Sequence, residues 1–238
     1  MVGKWGANTV PVAKTARILS LKVSKISKRR TAAKGDSSIS YEARRKEIAD
    51  AAIRVFNRKG FKGASVSAVA AELDIDRASV YYYISSKEQL FDEIVRTVVE
   101  KNLELAKQIE ASKLSPRRKL RDLITVLMTS YGDNYPLFYI YIRENLSHVS
   151  DKRSEWSDYM RKINAETVDA VIAIIEQGYA DKSFRNVGSS RVVAYGVLGI
   201  VGWTHRWFRP DHSEASAEEI GKTYAELLLA GLESPYSP

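Results

Sequence analysis

Three helix-start signals crowd into the first half of this chain, and their spacing forces two very short helices between longer ones. Ser65 is placed as an N-cap ahead of Val66, Val69, Ala70 and Leu73, which share one helical face. Asp76 caps a third segment, with Ile75 just before it positioned to staple onto Val80. Ser85 and Glu88 then have the spacing of a capping box that opens a long helix carrying Leu90, Ile94, Val98 and Leu105. Upstream, Ile48, Ala51, Ala52, Val55 and Phe56 recur at helical spacing and Gly60 supplies a stop, so a first helix is expected over about 41–59. The pattern predicts a third helix from Arg77 to about Tyr83.

Two short helices joined by a tight turn and braced by a longer one present the second short helix outward, in the shape that enters a DNA major groove. With Val80 and Ile84 turned to the core, Arg77, Ser79, Tyr81 and Tyr82 remain for base edges and phosphates. Lys87, at the start of the fourth helix, is expected to meet a backbone phosphate. Spacing alone also admits a plain helical hairpin whose tyrosines fill a core.

The net charge of +8 points toward nucleic acid only until it is located. Nine of the 37 basic residues but one of the 29 acidic ones fall in residues 1–40, so 28 of each remain over 41–238. The body is formally neutral, and any DNA contact there must rest on placed side chains. Residues 1–40 read as a disordered basic tail in which Lys25 to Arg30 can lie along phosphates. Within it Val12 to Arg30, basic, serine-containing and free of acid, also has the look of an organelle presequence. A sequence-nonspecific architectural protein that binds DNA through this tail is the competing function.

The chain contains no cysteine, which excludes disulfides, thiolate metal sites and cysteine nucleophiles and fits a reducing, cytoplasmic setting. The three histidines, His148, His205 and His212, lack metal-site spacing, and no nucleophile or phosphate loop accompanies them, so no enzyme and no cofactor are expected. No secretory signal or membrane span is recognised.

Beyond residue 110 the chain is again helical. Ser115-Pro116 opens a helix with Leu120, Ile124, Leu127 and Tyr131 on one stripe, and Gly132 marks its end. A helix from Pro136 carries Phe138, Tyr139 and Tyr141, and a long one over about 152–179 turns Trp156, Met160, Ile163, Val171 and Ile174 inward. The segment over about 189–208 is apolar all round from Val192 to Trp203, with Gly196, Gly199 and Gly202 allowing close approach. Ser216 and Glu219 form a capping box for the last helix. The tyrosines around 131–141 and the segment Trp203 to Arg209 have the makings of an apolar pocket with a few polar anchors, though such aromatics also serve as ordinary core.

The run Ile48 to Phe91 resembles the N-terminal domain of TetR-family transcriptional regulators. The likeness rests on the AA-x-x-x-F element, Gly60-Phe61, Ser65-Val66 with Ala70, the Ser79-Val80-Tyr81-Tyr82 run and Ser86-Lys87-Glu88-x-Leu90. Asp74 stands where the family usually has a turn glycine, and Ala78 where a helix glycine is common; an aspartate tolerates left-handed backbone and an alanine favours helix. The resemblance implies an all-α protein, with a helix-turn-helix DNA-binding domain over 41–88 and an effector-binding and dimerisation domain over 89–238. It carries DNA contact to Ser65, Ser67, Arg77, Ala78, Ser79, Tyr81, Tyr82 and Lys87. It implies a homodimer on double-stranded DNA, joined through the last two long helices at Val197, Val201, Tyr224 and Leu228. A small-molecule effector would meet Tyr131, Phe138, Tyr139, Ile142, Tyr195, Trp203, Arg206 and Trp207. The string Arg206-Trp207-Phe208-Arg209-Pro210 is similar to the end of members that sense coenzyme A thioesters.

Overall fold

The computed structural model describes residues 35–147 and 155–233. The chain divides into two units, Met1–Lys46 and Glu47–Pro238. In the first, the described part is the opening of α1 (Gly35–Gly63), so the helix begins six residues before the expected boundary at 41. The remainder of the basic tail, with the Lys25 to Arg30 run, lies outside the described residues.

The second unit builds the short-helix region from local signals. Ile48, Ala49, Ala51, Ala52, Val55 and Phe56 bury one face of α1, and Gly60 breaks the helix at φ 69°, a conformation that favours glycine. Ser65 caps α2 (Val66–Glu72) by accepting from the Ala68 amide at 3.2 Å. The turn after α2 carries Asp74 at φ 52°, so the aspartate does occupy the left-handed backbone of the expected turn. Asp76 caps α3 (Arg77–Tyr81), accepting from the Ser79 amide at 2.8 Å, and Ile75 packs into the cluster that holds Val80. The helix is two residues shorter than expected. For α4 (Lys87–Ala111) the cap is Ser86, which accepts from the Gln89 amide at 3.0 Å; the expected Ser85 box is displaced by one residue because Ile84 goes into the core.

Five further helices follow: α5 (Pro116–Asp133), α6 (Leu137–Ser147), α7 (Glu155–Ala180), α8 (Ser190–Trp203) and α9 (Ala217–Leu232). Ser115 and the reciprocal Ser216–Glu219 box cap α5 and α9 as expected. Among the described residues the extended pairing is a single antiparallel bridge between Phe184 and Glu233, and no helix is long and apolar enough to cross a membrane. The tightest helix contact is α5 with α9: a Cβ on Gly221 would meet the Thr125 backbone at 2.9 Å, so the two axes approach where only a hydrogen fits.

Among the described residues three hydrophobic clusters organise the unit, a small one around Met128, Tyr131, Phe208 and Ile220 and two larger ones. One joins the short-helix region to the rest, running from Ile48, Phe56, Val80 and Phe91 through Val98 and Leu103 to Leu137, Ile140, Met160 and Ile163. The other sits among α5, α7, α8 and α9 around Ile124, Val171, Ile174, Val197 and Leu229. Helix α8 is not buried all round: Ala194 and Val197 face that core, whereas Val192, Tyr195, Gly196, Gly199 and Trp203 are exposed.

Candidate nucleic-acid interface and effector pocket

Helix α3 is held from within and presented outward. Val80 and Ile84 anchor it, leaving Arg77 and Ala78 exposed beside Tyr81, which is 42% exposed, and Tyr82, which is 73% exposed. The Arg77 Nη2 donates to the Tyr81 hydroxyl at 2.9 Å, and its guanidinium lies 5.2 Å from that ring's centroid. Ser65 and Ser67 are exposed at the start of α2, and Ser65 keeps its hydroxyl hydrogen for a donor role while its oxygen caps the helix. Ser79 is different: its amide and hydroxyl both donate to Asp76, which holds that carboxyl below the usual carboxylate range. Its first task is the cap.

Lys87, expected at a phosphate, is engaged within the chain. Its ammonium donates to the carbonyls of Phe61 and Ala64, each at 2.9 Å, and sits 4.9 Å from the Phe61 ring centroid. It therefore ties the start of α4 to the end of α1, where the Phe61 carbonyl otherwise has only the Ala64 amide at 3.3 Å. A second tie was not read from the sequence. Glu72, at the end of α2, accepts from Arg54 at 2.9 Å and from Arg58, and hydrogen bonding to Arg58 and then to Arg54 pulls its carboxyl down to about 2. The signal was present: two arginines one helical turn apart on α1, with an acid closing the next helix. The phenylalanines 56, 61 and 91 pack beneath, with centroids 4.9 to 5.7 Å apart.

The expected effector residues separate into two groups. Tyr131, Phe138, Tyr139 and Ile142 come together between α5 and α6, joined by Tyr135 and Phe208, which had not been assigned. Tyr131 and Phe138 lie parallel with centroids 6.5 Å apart, and the Phe208 ring is 6.1 Å from Tyr131. Met128 and Ile220 close the floor. Tyr131 is 6% exposed, its buried hydroxyl has no hydrogen-bond partner among the described residues, and burial pushes the phenol's ionisation upward. Arg209 reaches this wall from outside, 5.7 Å from the Tyr139 centroid. The chemistry gathered here is an apolar wall with one buried hydroxyl, and a guanidinium at its edge.

Of Tyr195, Trp203, Arg206 and Trp207, it is Trp207 that meets this wall, its ring 5.9 Å from that of Phe208. All four are exposed, with Arg206 stacked 4.6 Å from the Trp203 centroid. Of the four expected dimer residues, Val197 is 1% exposed inside the chain's own core, while Val201, Tyr224 and Leu228 are half-buried and pack against intrachain clusters, Tyr224 accepting from Thr204 at 3.2 Å. The apolar side chains that do face out are Val192, Tyr195, Trp203 and, on α9, Leu227. A Cβ on Gly196, Gly199 or Gly202 would meet nothing within 4 Å. His205, just past the end of α8, places Nδ1 at 2.6 Å from the carbonyl of Gly202 in the helix's last turn.

Comparison with known proteins agrees with this architecture over most of the chain. The HTH-type transcriptional repressor KstR2 of Rhodococcus jostii (strain RHA1) is 28% identical over 203 residues, covering 85% of this chain and 97% of its own. The structure of the ketosteroid transcriptional regulator KstR2 of Mycobacterium tuberculosis superposes with a TM-score of 0.72 at 20% identity, over 80% of this chain and 95% of that one. AibR in complex with isovaleryl coenzyme A and operator DNA superposes at 0.62 with 21% identity, over 78% and 98% of the two chains. Residues 48–94 match the model for bacterial regulatory proteins of the tetR family, and residues 113–232 match that for the tetracyclin repressor-like C-terminal domain. The chain belongs to the TetR family of bacterial transcriptional regulators.

Proposed function

We propose that this regulator is a homodimeric repressor that binds a near-palindromic operator through α3 of each subunit and is released by an amphipathic effector, an acyl or steroid-derived coenzyme A thioester. The observation that carries the DNA part is α3 itself, five residues long, anchored by Val80 and turning Arg77, Ala78, Tyr81 and Tyr82 to solvent. Two such helices would enter successive major grooves about 34 Å apart. Ser65 and Ser67 at the start of α2 are suited to the flanking phosphates.

The effector part is supported by the unpartnered Tyr131 hydroxyl among Phe138, Tyr139, Ile142 and Phe208, and by Arg209 at the rim. The likeness to AibR, crystallised with isovaleryl coenzyme A, and to the ketosteroid regulator supplies the ligand class. The dimer is supported by the uncovered apolar face of α8 and α9, led by Val192, Tyr195, Trp203 and Leu227, across which the open glycines let a second copy approach closely. Domain limits near residues 40 and 88 serve this division of labour, with α4 passing from the reading head into the effector half.

An effector shifts the protein off its operator only as far as it prefers the non-binding conformation. The test is thermal unfolding with isovaleryl coenzyme A and a steroid-derived coenzyme A thioester, followed by release of labelled operator. Stabilisation of roughly 2.7 kcal/mol at a hundredfold excess over the dissociation constant, with loss of the DNA complex, is expected. No shift at saturating thioester contradicts the ligand assignment.

A further inference from the structure

We propose that Tyr81 is a positioning residue for base reading: its phenol holds the Arg77 guanidinium across the outer face of α3, and Arg77 so held selects guanine. The inference rests on α3 being the groove-facing helix. Arg77 and Tyr81 stand four residues apart on that helix, which brings the side chains over one another. Both contacts an arginine can make with a phenol are present, the Nη2 hydrogen bond at 2.9 Å and the guanidinium 5.2 Å from the ring centroid.

The consequence follows from the shape of guanidinium. An exposed arginine samples many rotamers and takes a phosphate as readily as a base. Here the bond to residue 81 directs the side chain along the helix face instead of off its N-terminal end. Whichever hydrogen of Nη2 serves the phenol, the other still forms a parallel donor pair with a neighbour, either on Nη1 or on Nε. Such a pair matches the two acceptors N7 and O6 on the major-groove edge of guanine, whereas adenine offers one acceptor and one donor there. The neighbouring positions do not compete for that base edge, since Ala78 offers a methyl group and the Ser79 hydroxyl is committed to Asp76. A phenylalanine at 81 would keep the ring and lose the acceptor, so Arg77 would remain present but unaimed.

The experiment is selection of bound sequences from a randomised duplex library by the full-length wild type, Arg77→Ala and Tyr81→Phe, with affinities measured at several salt concentrations. The wild type is expected to enrich guanine at one position of each half-site. Arg77→Ala should abolish that preference, and Tyr81→Phe should weaken it by roughly tenfold, within the range one bidentate pair supplies, leaving other positions and the salt slope unchanged. Undiminished guanine preference in Tyr81→Phe overturns the inference. So does an equal loss on every sequence with a shallower salt slope, which would make the phenol a phosphate ligand. A wild-type motif indifferent to Arg77→Ala sinks this inference and leaves the operator reading standing, whereas a wild type that enriches nothing sinks both.

Discussion

In the reading head Asp76 accepts from Ser79, Glu72 from Arg54 and Arg58, and the Lys87 ammonium donates to the carbonyls of Phe61 and Ala64, while the buried Tyr131 hydroxyl bonds to nothing among the described residues. The first arrangement spends polar groups on holding two short helices that could not stand alone. The second leaves a cost in place that a ligand can remove, because an unpaired buried hydroxyl loses its water and gains no replacement. If the cluster around Tyr131 is the effector site proposed above, a head locked by its own side chains and a site short of a partner would divide the two tasks between them.

The largest expected effect tests the lock from below. Phe56→Ala removes the α1 ring that packs on Phe61 and on Phe91 of α4, and should cost about 3–5 kcal/mol of stability in denaturant unfolding. Because that core continues into α6 and α7, the loss should appear as one shifted transition, and an independent early transition of the head would break the comparison. Lys87→Ala strips the carbonyls at the end of α1 of a donor and should cost roughly 1–3 kcal/mol. Operator binding should weaken with it at an unchanged salt slope; a slope shallower by about one would restore the phosphate contact that the sequence suggested.

The pocket should respond with the opposite sign. Tyr131→Phe deletes the orphaned hydroxyl and keeps the ring, so the unliganded protein should be unchanged or more stable by up to ~1 kcal/mol, with a smaller thermal shift from the thioester. A clear destabilisation would mean that the hydroxyl is satisfied after all. The smallest effects are on pH. Glu72 is lowered from 4.5 to about 2, so its contribution is complete above the unfolded value and disappears as pH falls toward the folded one. Tyr131 is raised from 10.0 by burial, so its contribution is complete below that value and disappears as pH rises beyond it. Melting curves of Glu72→Gln should therefore lose part of the acid limb, and those of Tyr131→Phe part of the alkaline limb.

The same contrast explains what the sequence disclosed. Head elements are set by signals a few residues apart, so the caps at Ser65 and Asp76, the left-handed Asp74 and the exposure of Arg77, Tyr81 and Tyr82 around a buried Val80 were legible. The shift from Ser85 to Ser86 was not, because adjacent serines differ only in which one leaves Ile84 buried. Lys87 reads as a helix-start cation until α1 is folded back over it. In the C-terminal half the assignments depend on packing between distant helices. Val192 and Val197 are alike in a segment apolar on every side, and contact with α5, α7 and α9 decides that Val197 goes in and Val192 stays out. The aromatic wall was legible at Tyr131, Phe138, Tyr139 and Ile142, which lie close in sequence, whereas Tyr195, Trp203 and Trp207 shared the right chemistry and took the outer face.

That a neutral body reads DNA by a few placed side chains, with no help needed from bulk charge, is most directly tested by competition. Fluorescence anisotropy of the full-length protein on a labelled operator, chosen by selection, would be followed while unlabelled random duplex is added. The complex is expected to survive random DNA in at least hundredfold excess and to be displaced by unlabelled operator, since specific binding typically exceeds nonspecific binding by about 10³-fold or more. Displacement by an equal amount of random duplex would contradict the account and leave a protein that binds charge alone.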